Sequence, residues 1–161
     1  MTGAPAVEIA GWLPAVFSAA EELATTALGY DGASLISAVA GMPCEAEGAL
    51  VPLTSDRHSL QCGLFCSLDT CRSIVASMLG MDDGDELDDA DVADALGEVA
   101  NILGGGIKAR MVASDSALTL GLPVVIKGSI EPLHTQAQAI AEVLLGDHRV
   151  WLVALTTSAT A

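Results

Sequence analysis

Basic and aromatic residues are both scarce in this 161-residue sequence. It has six Lys and Arg against 21 Asp and Glu, which gives a formal net charge of −15, and only 3% of its residues are aromatic. So acidic a chain repels a nucleic-acid backbone or an anionic bilayer surface, and it has few side chains on which bases could stack. The composition therefore excludes nucleic acid and favours a protein or a small molecule as the partner.

Long hydrophobic runs are also missing. No apolar run reaches the roughly 18 residues that a membrane span requires, and the nearest candidate, residues 9–28, contains Pro14, Glu21 and Glu22. The N-terminus lacks the basic segment of a secretory signal. We therefore expect a cytoplasmic protein without a membrane span, in which the four cysteines are thiols rather than disulfides.

Apolar residues make up 52% of the chain and the mean hydropathy is +0.53, which predicts one folded domain over residues 1–161.

Residues 138–155 fit either a helix or a hairpin that turns at Gly146 and Asp147. The whole pattern predicts an α/β fold, an α+β sandwich. Periodicity and turn residues predict the other elements in this order: a helix from Ile9 to near Gly29 with its start disturbed by Pro14, one or two irregular strands within 34–54, a half-buried strand over 60–68, a helix capped by Asp69 or Thr70 and ending at Gly80, a long helix from about Ala90 to Ala113, and an edge strand around Pro123.

The cysteines suggest a zinc site, because Cys44, Cys62, Cys66 and Cys71 are accompanied by His58. Their spacing argues against it, since no tight C-x2-C pair is present. Strand alternation instead places Cys62 and Cys66 on one face with Leu60, Leu64 and Leu68, which predicts core packing and no metal. A metal or redox sensor is the alternative. His58, His134 and His148 are scattered and have no local partner of a catalytic type.

The long helix carries an unusual polar face. Asp94, Glu98 and Asn101 follow the spacing i, i+4, i+7, which confines them to an arc of about 60°. The opposite side of the helix is apolar, and the residues on either side of the polar face are small. Lys108 follows on the same helix, C-terminal to Asn101. The opposite side comprises Val92, Leu96, Val99 and Leu103, and the flanks comprise Ala90, Gly97, Gly104 and Gly105.

Each glycine of the run 104–106 costs about 1 kcal/mol of helix propensity, and glycine lets another backbone come close. A partner backbone approaching Glu98 and Asn101 would explain that cost. An ordinary solvated helix face is the alternative. A phosphate-binding loop is disfavoured, because the G-x-x-x-x-G-K-[ST] spacing is absent and the chain is acidic.

At this helix the sequence resembles a known family. The string DALGEVAN, residues 94–101, is similar to the D/S-x-x-x-E-x-x-N motif of the CheC/CheX/FliY chemotaxis phosphatases. Residues 118–128 resemble the family's proline-containing strand, with 21 residues between Asn101 and Pro123. A single copy of the motif resembles CheX rather than the two-site CheC.

The resemblance implies two long helices on a β-sheet with pseudo-two-fold character, a homodimer formed by extending that sheet, and a hairpin over residues 138–155. It also implies hydrolysis of the aspartyl phosphate on a CheY-like response-regulator receiver domain. Asn101 would then position the attacking water, and Glu98 would pair with a lysine of the receiver.

The resemblance also bears on the other polar residues of the helix, on the metal and on the alternative function. Asp94 and Lys108 would contribute to docking. The receiver would supply Mg²⁺, so the chain would need no cofactor and no metal ligands of its own. A non-catalytic interaction module of the same fold, scaffold-like or flagellar-switch-like, is the alternative function.

Overall fold

The computed structural model describes residues 5–41, 45–82, 86–128 and 137–156. Within these ranges the chain forms three helices and seven strands. In chain order they are α1 (Pro5–Thr26), β1 (Ala33–Val39), β2 (Glu47–Thr54), β3 (Ser59–Cys66), α2 (Leu68–Leu79), α3 (Asp89–Met111), β4 (Thr119–Leu120), β5 (Val124–Lys127), β6 (Gln138–Leu145) and β7 (His148–Thr156).

The strands make one antiparallel sheet in the order β1-β6-β7-β3-β2-β4. β5 pairs with β2 as well, so β4 and β5 lie one after the other along the same edge of that strand. The three helices pack together on one face of the sheet. The mixed α/β fold predicted from the sequence is confirmed, and among the described residues no helix is long and apolar enough to cross a membrane.

β3 is more deeply buried than its alternating pattern predicts. Cys62 and Leu64 face the helices, as expected, but Phe65 on the other face is also fully buried. The prediction of a half-buried strand is therefore wrong, because β3 lies between β7 and β2 and a second apolar cluster forms on the far side of the sheet. That cluster contains Ala46, Leu50, Phe65, Ile140, Val153 and Leu155.

The helix boundaries differ from the predicted ones at two starts. α1 begins at Pro5 and continues through Pro14. α2 is capped by Ser67 rather than by Asp69 or Thr70, because the Ser67 hydroxyl accepts a hydrogen bond from the Thr70 amide at 3.2 Å. Leu68 is consequently not part of the strand; it opens α2 and is 46% exposed.

Two other predicted boundaries agree with the structure, whereas α1 ends at Thr26 rather than near Gly29, and Pro123 lies between β4 and β5 rather than inside a strand. α2 ends at Gly80, whose φ of 68° is left-handed, as glycine favours. Residues 138–155 form the β6–β7 hairpin, with Leu145 paired to His148 and with Gly146 at φ 59° in the turn. The structure therefore decides in favour of the hairpin for this segment, which the sequence pattern fits either as a helix or as a hairpin.

α3 lies unusually close to the sheet at Gly104. A methyl group on Gly104 would lie 2.6 Å from both Val51 Cγ1 and Leu120 Cδ1. On Gly106 it would lie 3.1 Å from Ala19 Cβ in α1. Packing inside the molecule therefore explains these two glycines, and the expectation that a partner approaches all of residues 104–106 is wrong for them.

We expect Gly104→Ala to destabilise the protein. The added methyl group displaces the branched Val51 side chain, and overpacking of this kind costs about 1–3 kcal/mol, against about 1 kcal/mol of regained helix propensity. Urea unfolding should show a free energy of unfolding lower by up to about 2 kcal/mol. Gly11→Ala is the control, because Gly11 is an exposed glycine of α1 with no atom within 4 Å of the added methyl group, and it should be at least as stable as the wild type.

Candidate functional site on helix α3

Arginine side chains fix both ends of α3. Near its start, Arg72 of α2 forms an ion pair with Asp89 at 2.9 Å. Near its end, Arg110 donates to Ser18 Oγ and to Glu22 Oε2 of α1, both at 2.8 Å. These contacts join the two ends of α3 to α2 and α1, while burial of its apolar side sets its orientation about its own axis.

The exposed face of α3 is the one that the sequence predicts. Asp94, Glu98 and Lys108 are exposed and Asn101 is half-buried; we call these four residues the polar stripe. The opposite side is at most 2% exposed at each of its large apolar positions, which confirms the helix phase. Those positions are Val92, Leu96, Val99, Leu103 and Ile107.

The polar stripe makes no contacts of its own. Within the described ranges, none of its four side chains forms a hydrogen bond or an ion pair. Its carboxylates, amide and ammonium group are all available to another molecule. Every other basic side chain has a partner: Arg57 bonds the Ser114 carbonyl at 3.1 Å, Arg72 and Arg110 bond as above, Lys127 lies 3.8 Å from Glu47, and Arg149 lies 2.9 Å from Glu142.

Two nonpolar residues border the stripe. A methyl group on Gly97 would lie 3.6 Å from Pro123 Cγ, so the proline that follows β4 packs beside the turn that carries Glu98. On the other border Ile102 is 37% exposed. At about 100° per residue, Asn101 lies between these two borders. The expectation that nothing bulky flanks the stripe is wrong on the Pro123 side.

The three cysteines that the structure describes belong to the core. Cys62, Cys66 and Cys71 are free and fully buried. Burial raises the pKa of Cys62 to about 12, and a hydrogen bond with Cys71 together with burial raises the pKa of Cys66. Thiols that stay protonated are poor nucleophiles and poor metal ligands.

No cluster that could hold a metal ion is found among the described residues. Of the predicted zinc candidates, Cys44 lies outside the described residues, as does His134. His58 is bound to Asp115 rather than to a cysteine.

Ser55, His58 and Asp115 form a partly buried polar cluster that sequence reasoning missed. Asp115 Oδ2 accepts from Ser55 Oγ at 2.5 Å and is 2.7 Å from His58 Nδ1. These bonds, the serine bond first, lower the pKa of Asp115. The serine bonds the aspartate instead of the histidine, and its oxygen already accepts from the His58 amide at 3.0 Å, so the cluster ties the β2–β3 turn to the end of α3 and does not activate a nucleophile.

Comparison with known proteins agrees with this fold. The structure superposes on a chemotaxis protein CheX from Desulfovibrio desulfuricans with a TM-score of 0.75 at 16% identity, covering 91% of this chain and 99% of that one. It superposes on the CheX-CheY-BeF3-Mg complex from Borrelia burgdorferi with a TM-score of 0.73 at 17% identity, covering 90% and 96%. For FliY of Thermotoga maritima the TM-score is 0.66 at 13% identity, covering 98% and 92%.

The family follows from the sequence match. The model of the family described as "Chemotaxis phosphatase CheX" matches residues 48–144, more than half of the chain. The chain has the fold of the CheX proteins on which it superposes, and it belongs to the CheX family. No match is found among curated proteins. The matched region contains β2, β3, α2 and the whole of α3, and therefore the entire polar stripe.

We expect Cys62→Ala and Cys66→Ala to lower stability modestly without altering function. Each change removes one small buried side chain, which costs about 1 kcal/mol, and neither thiol lies on the polar stripe. Thermal unfolding of both variants, with metal analysis of the purified wild type, tests this. Stoichiometric zinc that disappears in either variant would contradict the core-packing assignment.

Proposed function

We propose that this protein hydrolyses the aspartyl phosphate of a CheY-like response-regulator receiver domain that docks on the polar stripe of α3. The observation that carries the proposal is that an exposed Glu98 and a half-buried Asn101 lie on one helix face with no hydrogen-bond partner in the described part of the chain. The family match supports a phosphatase. The Borrelia complex, in which a CheX is joined to CheY, supports this kind of partner.

Asn101 positions the water. Hydrolysis forms a bond from the water oxygen to phosphorus and breaks the bond from phosphorus to the carboxylate oxygen, which leaves as aspartate. Since a carboxylate is a good leaving group, the main requirement is a water held in line with that bond. The Asn101 amide can accept from this water with its oxygen and donate to a phosphoryl oxygen with its nitrogen. The proton that the water loses passes to phosphate or solvent, so no general base is needed.

Glu98 anchors the receiver. It lies three residues before Asn101, so their side chains are neighbours on the helix. With no basic partner in the described residues, its carboxylate is available for a lysine beside the receiver's phosphate. Such a pair loses its water at the centre of the interface and becomes sensitive to removal of either partner.

Lys108 and Asp94 act at the two ends of the stripe. Helix side chains tilt toward the N-terminus, so the unpaired ammonium of Lys108 leans back toward Asn101 and offsets the negative charge of the incoming phosphate. Asp94 adds a docking contact one turn before Glu98. Mg²⁺ comes with the receiver in this proposal, and the polar stripe offers it no cluster of ligands.

A second candidate function is a non-catalytic interaction module. The similarity to FliM in a complex from H. pylori favours it, because FliM shares the fold and is joined there to another protein. The presence of both Glu98 and Asn101 on the exposed face favours the phosphatase. Binding of a phosphorylated receiver without faster loss of its phosphate would favour the module.

We expect Asn101→Ala to slow dephosphorylation of the cognate receiver by about 10²-fold or more, which corresponds to about 2.7 kcal/mol of transition-state stabilisation. Binding should change little, because one small amide is removed. The rate is measured as loss of phosphate from the labelled receiver, and the affinity is measured with a receiver carrying BeF3⁻.

The Asn101→Gln variant tests whether the position of the amide matters as well as its presence. It keeps the amide but moves it by one methylene, and displacements of this size reduce rates about as strongly as removal of the group. Full activity in Asn101→Ala would remove the water-positioning role.

We expect Glu98→Gln to weaken binding of the BeF3⁻-loaded receiver. Losing one partner of a desolvated ion pair costs about 3–5 kcal/mol, so Kd should rise by about 10²-fold or more. Glu21→Gln is the matched control, because Glu21 is also an exposed helical glutamate without an ion pair in the described residues, and it should bind normally. Equal affinities for the two variants would place the anchor elsewhere.

A further inference from the structure

The three consecutive glycines of α3 have different surroundings. A side chain on Gly104 would meet β2 and Leu120, and one on Gly106 would meet Ala19 of α1. A methyl group on Gly105 would have no atom within 4 Å. Packing inside the protein therefore explains its two neighbours and gives no reason for Gly105 to lack a side chain in the middle of a helix, where glycine is disfavoured.

Gly105 continues the polar stripe. It lies four residues after Asn101 and seven after Glu98, so its Cα direction is within about 40° of the first and about 20° of the second. Along the axis it is about 6 Å beyond Asn101, one helical turn. The outward face of α3 therefore has bare backbone directly beside the amide that holds the water.

We infer that main chain of the docked receiver lies directly on α3 at Gly105, and that the missing side chain lets the receiver come close enough for Asn101 to reach the acyl phosphate. This inference rests on the proposed function, since it assigns the contact that sets the docking distance. A helix backbone can be approached closely only where no Cβ intervenes. The catalytic alignment tolerates displacements of less than about 1 Å, so even a small side chain at this point would matter.

The position of Gly105 beside the polar stripe indicates that the docked receiver is the molecule that covers it. Gly105 lies between Asn101 and Lys108, the basic side chain that has no partner in the described part of the chain. A molecule that bonds Asn101 and also pairs with Lys108 covers the helix surface that borders Gly105, whose Cα direction is within about 40° of Asn101 and about 60° of Lys108. Ile102, 37% exposed and three residues before it, adds apolar surface of the kind that borders a protein interface.

The test adds side chains to Gly105 and to a matched glycine. The variants are Gly105→Ala and Gly105→Leu, with Gly11→Ala and Gly11→Leu as controls, because Gly11 is also a helical glycine with open space around it. All four should have a Tm equal to or above that of the wild type, since alanine and leucine favour the helix. Gly105→Leu should lower kcat/KM for the phosphorylated receiver by 10-fold or more, Gly105→Ala should lower it less, and the Gly11 variants should match the wild type.

Binding provides a second measurement that does not depend on catalysis. Kd for a CheY-like receiver domain loaded with BeF3⁻ and Mg²⁺ should rise in the order wild type, Gly105→Ala, Gly105→Leu. A receiver that binds but keeps its phosphate would refute the proposed phosphatase, and this order of Kd would still support the contact at Gly105.

Three results would overturn the inference. If Asn101→Ala abolishes activity and Gly105→Leu retains it, the proposed function stands and the contact at Gly105 does not exist. If Gly105→Leu lowers Tm, the glycine has an internal role. If Gly105→Leu changes the oligomeric state of the protein in solution and leaves receiver binding intact, a second copy of the chain occupies this face.

Discussion

The close contact of α3 with the sheet is the constraint on which the rest of the site depends. At Gly104 the helix lies directly over Val51 of β2 and Leu120 of β4. That contact lies at the edge of the buried side of α3, and together with the burial of Leu96, Leu103 and Ile107 it sets which side of the helix is exposed. Arg72 and Arg110 hold the two ends of the same helix. A rigid helix is a precise support for side chains whose alignment has to be accurate to less than about 1 Å.

The chemistry assigned to the stripe suits so acidic a chain. With a net charge of −15, the protein repels an acidic partner at long range, although charges separated by more than about 8 Å are largely screened at physiological ionic strength. Affinity then has to come from short-range contacts, such as an ion pair at Glu98. Asn101 is the only asparagine in the sequence, and in the proposed reaction its neutral amide would act without a change of protonation state. In this scheme the chain supplies alignment, and the receiver supplies the leaving group and the metal.

The polar groups inside the protein, away from the polar stripe, stabilise the fold. Asp115 accepts from Ser55 and lies against His58, while Trp12 packs edge-on against the same imidazole with ring centroids 5.4 Å apart. The Asp115 carboxylate therefore joins the segment after α3 to the β2–β3 turn, and the His58 ring joins that turn to α1. The thiols of Cys62 and Cys66 similarly fill the layer between sheet and helices. The exposed stripe thereby stands apart from the polar groups that stabilise the fold.

The sequence by itself determined the features that depend on near neighbours. The 3.6-residue period of Val92, Leu96, Val99 and Leu103 sets the phase of α3, and with it the exposure of Glu98 and Asn101. The motif around them points to the family. Only the tertiary structure decided what depends on residues far apart in the chain: which of the three glycines pack internally, that β3 is buried on both faces, and that Asp115 binds His58. The physical reason is that helix phase follows from covalent geometry, whereas these contacts arise from the pairing of strands and the docking of helices, which no local pattern encodes.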